Sequence, residues 1–123
     1  MGTSDQAHKE AERRRDPRYD RNLRVHVGGS SADGLRAESI NISSRGLYCK
    51  VPRYVHPFSK LNVALDLPFV SSGVAKVECE GVVVRVEPEA EMPGLNEYRL
   101  AIYFLNLERH AADAIHAFLA EGH

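Results

Sequence analysis

Tryptophan is absent from this sequence of 123 residues, and cysteine is scarce, with only Cys49 and Cys79. The two cysteines have no C-x-x-C spacing and no metal-finger context, which argues against a zinc finger or a dithiol redox motif. Each falls within an alternating apolar stretch, where a free thiol behaves as a small hydrophobic side chain. We therefore predict two reduced cysteines in the core of the fold.

Long apolar runs are also missing. No stretch approaches the roughly 20 apolar residues that a membrane-spanning helix needs. The first residues are polar and of mixed charge, without the apolar segment of a secretory signal. The sequence predicts no membrane insertion and a location in the cytoplasm.

Motifs for catalysis or metal binding are not found. The serines lie outside any G-x-S-x-G sequence, and no histidine and aspartate are placed to suggest a catalytic triad. The histidines show neither H-x-x-x-H nor H-E-x-x-H spacing. They are His8, His26, His56, His110, His116 and His123. We predict that the protein is not an enzyme and that it holds no metal and no cofactor.

The formal net charge is only -1, which disfavours general binding to nucleic acid. The charge is unevenly spread, because residues 13–24 contain six arginines and two aspartates, a net charge of +4 that leaves -5 for the remainder. A basic segment on a mildly acidic body indicates a local anionic partner. Residues 1–12 are polar without an apolar period and are predicted to form a flexible tail.

Apolar and polar residues alternate in several short segments, which is the pattern of half-buried strands. The predicted strands lie within residues 23–27, 35–42, 47–51, 61–67, 74–86 and 98–104. Pro68 is expected to end the fourth strand. In the fifth, the apolar positions change parity between Val77 and Val82, which predicts a β-bulge near Glu80 and Gly81. One extra residue there would place Val77 and Cys79 on the same face as the later valines, which are Val82, Val84 and Val86.

The period of the sequence changes near the C-terminus, where a helix is predicted over residues 106–120. Its apolar face consists of Leu107, Ala111, Ile115, Phe118 and Leu119. Asn106 is the expected N-cap, and Gly122 follows the end. Six short strands followed by one helix predict a mainly all-β fold, a six-stranded antiparallel barrel over residues 23–104 with a C-terminal α-helix at one end.

Two short motifs together are predicted to form a site for an anion and a purine base. The first, R-x-x-x-R, begins at Arg14 and ends at Arg18, and the second, N-x-S-x-x-G, contains Asn41, Ser43 and Gly46 at the turn between the second and third strands. A guanidinium carries a planar fork of donors that fits phosphate oxygens and the O6/N7 edge of guanine. Asparagine and serine add a base-edge partner and a short hydroxyl donor. Glycine is expected to adopt a positive φ or to bring backbone N–H groups close to the ligand.

These two motifs, separated by about two dozen residues, resemble the PilZ domain family. The likeness continues through residues 81–86 and 98–104 and into the helix. It implies a single PilZ domain over residues 13–123, a PilZ-type barrel that binds cyclic di-GMP. In that arrangement the arginine-rich arm, residues 13–22, closes over a ligand resting on the barrel.

The resemblance also implies a role for each motif residue. Arg14 and Arg18 match the arginines that contact guanine edges and phosphates, whereas Asn41, Ser43 and Gly46 match the platform on the barrel surface. Additional ligand contacts are assigned to Arg13, Arg15 and Arg45. An arginine directly before the first motif position resembles members that hold two stacked ligand molecules.

The implied function is a receptor that signals by ordering its arm and by changing a surface for a downstream protein partner. Some PilZ-like proteins lack the motif residues and act only through protein partners, so an adaptor without ligand is one alternative. A small nucleic-acid-binding barrel is another. It is disfavoured because aromatic residues make up only 7% of the chain and tryptophan, which stacks well on bases, is absent.

Overall fold

The computed structural model describes residues 23–28, 34–70 and 72–121. These residues form the strands β1 (Arg24–Gly28), β2 (Leu35–Ile42), β3 (Gly46–Val51), β4 (Lys60–Phe69), β5 (Gly73–Glu87) and β6 (Tyr98–Leu105) and the helix α1 (Arg109–Ala120). The tail predicted over residues 1–12 and the arm predicted over residues 13–22 lie outside the described residues.

The strands form a closed antiparallel barrel in the order β1-β2-β3-β6-β5-β4. Strands that follow one another in the sequence pair as hairpins, in the two groups β1–β2–β3 and β4–β5–β6. The barrel closes because β6 inserts between β3 and β5 and because β1 pairs with β4. Closure satisfies backbone groups that an open sheet would leave at its edges. The predicted six-stranded antiparallel barrel with one C-terminal helix is confirmed.

Alternating side chains of the strands fill the interior of the barrel. In β6, for example, Tyr98, Leu100, Ile102 and Phe104 are buried. The Tyr98 hydroxyl accepts a hydrogen bond from the N–H of Met92 at 2.9 Å, so the polar end of this buried ring is satisfied. Burying each large apolar side chain contributes roughly 1.5–3 kcal/mol.

Both cysteines are free thiols, and Cys49 is buried in this core while Cys79 is half-buried against it. Burial raises the pKa of Cys49 to about 12. Burial, together with the nearby carboxylate of Glu80, raises the pKa of Cys79 to about 11. Both thiols are therefore protonated at neutral pH, and the prediction of reduced core cysteines is confirmed, with Cys79 at the margin of the core.

The β-bulge of β5 lies further along the strand than the sequence predicted. The pairing of β4 with β5 is regular over its whole length, so no extra residue is inserted at Glu80 or Gly81. The register shifts instead against β6, between Val83 and Arg85. As a result Val83 faces the core and Val84 is exposed, and the later valines do not all share the inner face.

The fourth strand also continues beyond its predicted end. β4 extends through Pro68 to Phe69, where the sequence had predicted a stop at the proline. β1 pairs with β4 only as far as Leu65. Beyond that point one side of β4 has no partner among the described strands, and a missing N–H there removes no ladder hydrogen bond.

The helix begins later than predicted and uses a different cap. α1 starts at Arg109, its N-cap is Glu108, and this residue makes no side-chain capping hydrogen bond. Asn106 is not the N-cap but has a φ of 48°, in the left-handed region that asparagine tolerates. Its side-chain amide donates to Glu80 Oε1 at 3.3 Å and so ties the β6–α1 connection to β5.

The apolar face of α1 packs on the barrel, as its sequence pattern predicted. Ala111, Ile115 and Phe118 are buried against β4 and β5. The ring of Phe118 meets that of Phe69 edge to face, with the centroids 5.8 Å apart. No helix within residues 23–28, 34–70 and 72–121 has both the length and the apolar character needed to cross a membrane.

Candidate functional site

The turn between β2 and β3 holds the residues of the second motif. Asn41 is half-buried near the end of β2, opposite Tyr48 of β3. The N–H of Ser43 donates to the carbonyl of Gly46 at 2.9 Å, which closes the turn. The hydroxyl of Ser43 accepts a hydrogen bond from the N–H of Arg45 at 3.3 Å. The motif therefore lies at the predicted turn, and Arg45 is exposed beside it.

A β-bulge in β2 determines which way Asn41 faces. The register between β2 and β3 shifts between Ser39 and Asn41. In a regular strand these two residues, two positions apart, would share a face. Because of the shift, Ser39 is buried, Asn41 reaches the surface and Ile42 returns to the core. The alternation of the sequence did not reveal this bulge, although it positions one of the predicted ligand contacts.

The structure requires glycine at position 46 for a reason other than the predicted positive φ or contact with a ligand. It does not have a positive φ. It lies opposite Tyr103 of β6, and a Cβ added to it would lie 2.3 Å from the carbonyl oxygen of Ile102. Any side chain at this position would therefore collide with the neighbouring backbone. The close approach of β3 and β6, rather than a left-handed turn, requires glycine here.

Ser39 links the start of the described barrel to the strand that carries Asn41. Its hydroxyl accepts a hydrogen bond from the N–H of Leu23 at 2.7 Å, and its own N–H donates to the Leu23 carbonyl at 3.1 Å. Leu23 directly follows the predicted arm. The root of the arm is thus fixed two residues from Asn41, a relationship that joins positions 16 residues apart and that no local pattern indicated.

The four predicted arginine contacts Arg13, Arg14, Arg15 and Arg18 lie outside the described residues.

The outward residues of β2, β3, β6 and β5 continue the surface that starts at the motif, and we call this surface the outer face. One row across these strands consists of Asn41, Tyr48, Ala101 and Arg85, and the next of Glu38, Lys50, Arg99 and Glu87. On the other side of the first row, Gly46 lies opposite Tyr103, which is followed across β5 by Val82. Two small residues of the outer face, Gly46 and Ala101, lie on the neighbouring strands β3 and β6.

Tyr48 connects the strands of the outer face. Its hydroxyl donates a hydrogen bond to Glu87 Oε1 on β5, and Glu87 also lies 3.5 Å from Arg85 in an ion pair. The hydrogen bond to Glu87 raises the pKa of Tyr48, burial raises it further, and the Arg99 guanidinium acts in the opposite direction. The phenol is therefore a neutral donor at physiological pH. Sequence reasoning missed this cluster because its members are brought together by the order of the strands.

A metal site would need several histidine, cysteine, aspartate or glutamate side chains close together. Within residues 23–28, 34–70 and 72–121, no three of these side chains come together in an arrangement that could hold a metal ion. The polar side chains at the motif turn are instead an amide, a hydroxyl and a guanidinium. Such groups suit hydrogen bonding to phosphates and to base edges.

Comparison with known proteins relates this fold to one family. The family model of the PilZ domain matches residues 12–121. The inhibitor of motility from Bacillus subtilis, MotI/DgrA, has a similar structure, with a TM-score of 0.69 and 19% identity. The similar part covers 87% of this chain and 49% of the Bacillus protein, so this chain spans about half the length of that relative.

A second similar structure is that of the PilZ domain of YcgR from Escherichia coli with c-di-GMP. The TM-score is 0.63 and the identity 14%, over 88% of this chain and 89% of the other. None of the curated protein sequences matches this chain. The two structural likenesses show the fold, and the family match extends over nearly all of the sequence, including both motifs. The chain therefore belongs to the PilZ domain family.

Proposed function

We propose that this PilZ domain is a receptor for cyclic di-GMP in the bacterial cytoplasm, and that it binds this ligand without transforming it. The observation that carries the proposal is the presence of all five motif residues within the range that matches the family. They are Arg14, Arg18, Asn41, Ser43 and Gly46. The fold shared with a PilZ domain that has c-di-GMP in its structure supports the same choice of ligand.

The geometry of the β2–β3 turn is compatible with a nucleotide. The bulge in β2 brings the amide of Asn41 to the surface, where it offers a donor and an acceptor to a base edge. The Ser43 hydroxyl lies 3.5 Å from the carbonyl of Gly46, a long contact that holds its proton weakly. That proton is free to turn toward a phosphate oxygen of the ligand.

The arginines supply the binding strength in this proposal. Arg14 and Arg18 contact the guanine edges and phosphates from the arm, residues 13–22, while Arg13, Arg15 and Arg45 add further contacts. A good bidentate contact between arginine and guanine contributes about 1–3 kcal/mol of discrimination. Fixing the arm over the ligand costs conformational entropy, which these contacts must more than offset.

In this proposal, signalling follows from the closure of the arm over the ligand. Closure of the arm over the ligand changes the surface at the root of β1 and beside the β2–β3 turn, and we propose that a downstream protein partner recognises the difference. A ligand-free adaptor on the same barrel is the alternative. It predicts partner binding that does not change with cyclic di-GMP.

Isothermal titration calorimetry of the whole chain with cyclic di-GMP tests the proposal, with GTP and linear pGpG as controls. We expect saturable binding of cyclic di-GMP and at least tenfold weaker binding of both controls. The stoichiometry distinguishes one bound ligand from the stacked pair that Arg13 suggests. Absence of binding by protein that unfolds cooperatively in urea would reject the receptor and leave the adaptor.

A further inference from the structure

Tyr48 occupies a central place on the outer face. On β3 it lies opposite Asn41 on one side and opposite Ala101 of β6 on the other. Its hydroxyl, however, bonds to Glu87, which belongs to β5, one strand further away. β6 therefore lies between the Cα of Tyr48 and the group to which its ring is tied.

This connection fixes the orientation of the ring. Neighbouring strands are ~4.8 Å apart, so a side chain that bridges from β3 toward β5 must lie along the sheet and cannot stand upright on it. The strand that it crosses presents Ala101 in the same row, and Arg85 of β5 lies opposite this alanine. The small methyl group leaves room for the ring to lie flat, with one face toward the barrel and the other toward solvent.

The ring is also held in place at its hydroxyl. Glu87 accepts the hydrogen bond of the Tyr48 hydroxyl and is itself paired with Arg85, and the Arg99 guanidinium acts to lower the pKa of the same phenol. A ring held by these partners has lost most of its rotamer freedom before any ligand arrives. Binding to such a surface costs less conformational entropy than binding to a mobile side chain.

We propose that Tyr48 is a stacking platform on which one base of the ligand lies flat, and that Glu87 holds the ring in that position. This inference rests on the proposed function, because it assigns the base of cyclic di-GMP to a place beside Asn41. A base on the Tyr48 ring would present its edge to the neighbouring Asn41 amide. Stacking of a base on an aromatic side chain contributes about a 5- to 150-fold gain in affinity.

Four variants of the full chain separate stacking from simple packing. Tyr48→Phe keeps the ring and loses the hydroxyl, whereas Tyr48→Leu keeps an apolar side chain of similar bulk and loses the aromatic face. We expect Tyr48→Phe to bind within about fivefold of the unchanged protein and Tyr48→Leu to bind at least fivefold more weakly. Glu87→Gln should behave like Tyr48→Phe. Phe58→Ala, which removes a ring that is 76% exposed on the β3–β4 connection, is the matched control and should bind normally.

A spectroscopic measurement adds a readout that packing alone would not change. Because the chain lacks tryptophan, its emission comes from tyrosine. Cyclic di-GMP should quench part of this emission in the unchanged protein and in Phe58→Ala, and less of it in Tyr48→Phe. Normal affinity of Tyr48→Leu, with the unchanged protein binding, would overturn this inference alone. Failure of the unchanged protein to bind would overturn the proposed function and this inference with it.

Discussion

Gly46 of β3 and Ile102 of β6 approach each other so closely that a Cβ at position 46 would lie 2.3 Å from the Ile102 carbonyl oxygen. We therefore expect Gly46→Ala to lower the free energy of unfolding by about 1–3 kcal/mol or more, because one of the two strands must move. Urea unfolding followed by circular dichroism measures this change. Gly28→Ala is the control, since a Cβ at Gly28 would meet nothing within 4 Å.

The close approach at Gly46 also affects how ligand binding by Gly46 variants must be interpreted. A loss of binding in a Gly46 variant is uninformative unless the variant is shown to be folded, because the side chain would displace barrel backbone before it touched a ligand. Equal stability of Gly46→Ala and Gly28→Ala would contradict the close approach and restore a direct ligand role as the reason for glycine.

Ser39→Ala should destabilise the protein by about 1–3 kcal/mol, since it leaves the N–H of Leu23 without the hydroxyl that accepts its hydrogen bond at 2.7 Å. Hydrogen exchange of the Leu23 amide should accelerate more than that of amides in β6. Exposed Ser72 serves as the control, and Ser72→Ala should leave stability unchanged within about 0.5 kcal/mol. If the Leu23 amide exchanged at its original rate in Ser39→Ala, the anchoring role of this serine would be refuted.

Arg18→Ala should weaken cyclic di-GMP binding by about 5- to 150-fold, the loss expected for one bidentate contact with guanine. Arg24→Ala should have little effect, because Arg24 is exposed on β1 beyond the first motif. Calorimetry of both variants at one salt concentration measures the difference. Equal losses would mean that the basic segment acts as bulk charge, and a specific arginine clamp would then be wrong.

The thiols of Cys49 and Cys79 should resist alkylation in the folded protein. Burial raises their pKa to about 12 and about 11, so at pH 8 the reactive thiolate is at least about 100-fold rarer than in an unfolded chain. A thiol reagent should therefore react much faster in 8 M urea than in buffer at that pH. Rapid reaction of the folded protein at pH 8 would contradict the assignment of both residues to the core.

The same shifts predict how stability changes at alkaline pH. The thiol pKa is higher in the folded protein than its ordinary value of 9.0, so the unfolded chain releases these protons first as the pH rises. The stabilisation that the protonated thiols contribute to the free energy of unfolding is fully present below about pH 9 and is lost between about pH 9 and 12. Cys49→Ala should reduce the slope of stability against pH in that range, whatever its effect at pH 7.

The sequence predicted those features that depend on local alternation. Tyr98, Leu100, Ile102 and Phe104 alternate in the sequence and line the core, and Ile115 and Phe118 recur at helical spacing and pack on the barrel. Period and burial are linked directly in these segments, because each side chain's direction follows from its own position in the strand or helix. Six strands and a helix were therefore identifiable before any pairing was known.

Features that depend on pairing were not predictable in the same way. The bulge between Val83 and Arg85 arises against β6, whose register cannot be read from β5 alone. Tyr48 and Glu87 meet across 39 positions of sequence because β6 inserts between their strands. The close approach of β3 and β6, which requires glycine at position 46, likewise depends on the pairing of two strands. Motif residues could thus be named from the sequence, whereas the side chains that surround them required the fold.

Closure of the barrel has a consequence for how this protein meets a partner. Many proteins capture an extended peptide by adding it to the free edge of a sheet, where backbone groups supply most of the affinity. Around the ring every described strand has a neighbour on both sides, whereas the β4–β5 hairpin extends past it, because β4 pairs with β1 only to Leu65 and β5 pairs with β6 only from Glu80 onward. Phe118 of α1 packs against Phe69 at this extension. On the ring itself, recognition of a partner would rest on side chains and loops. Recognition of this kind can be altered by a few surface substitutions, while the barrel itself stays unchanged.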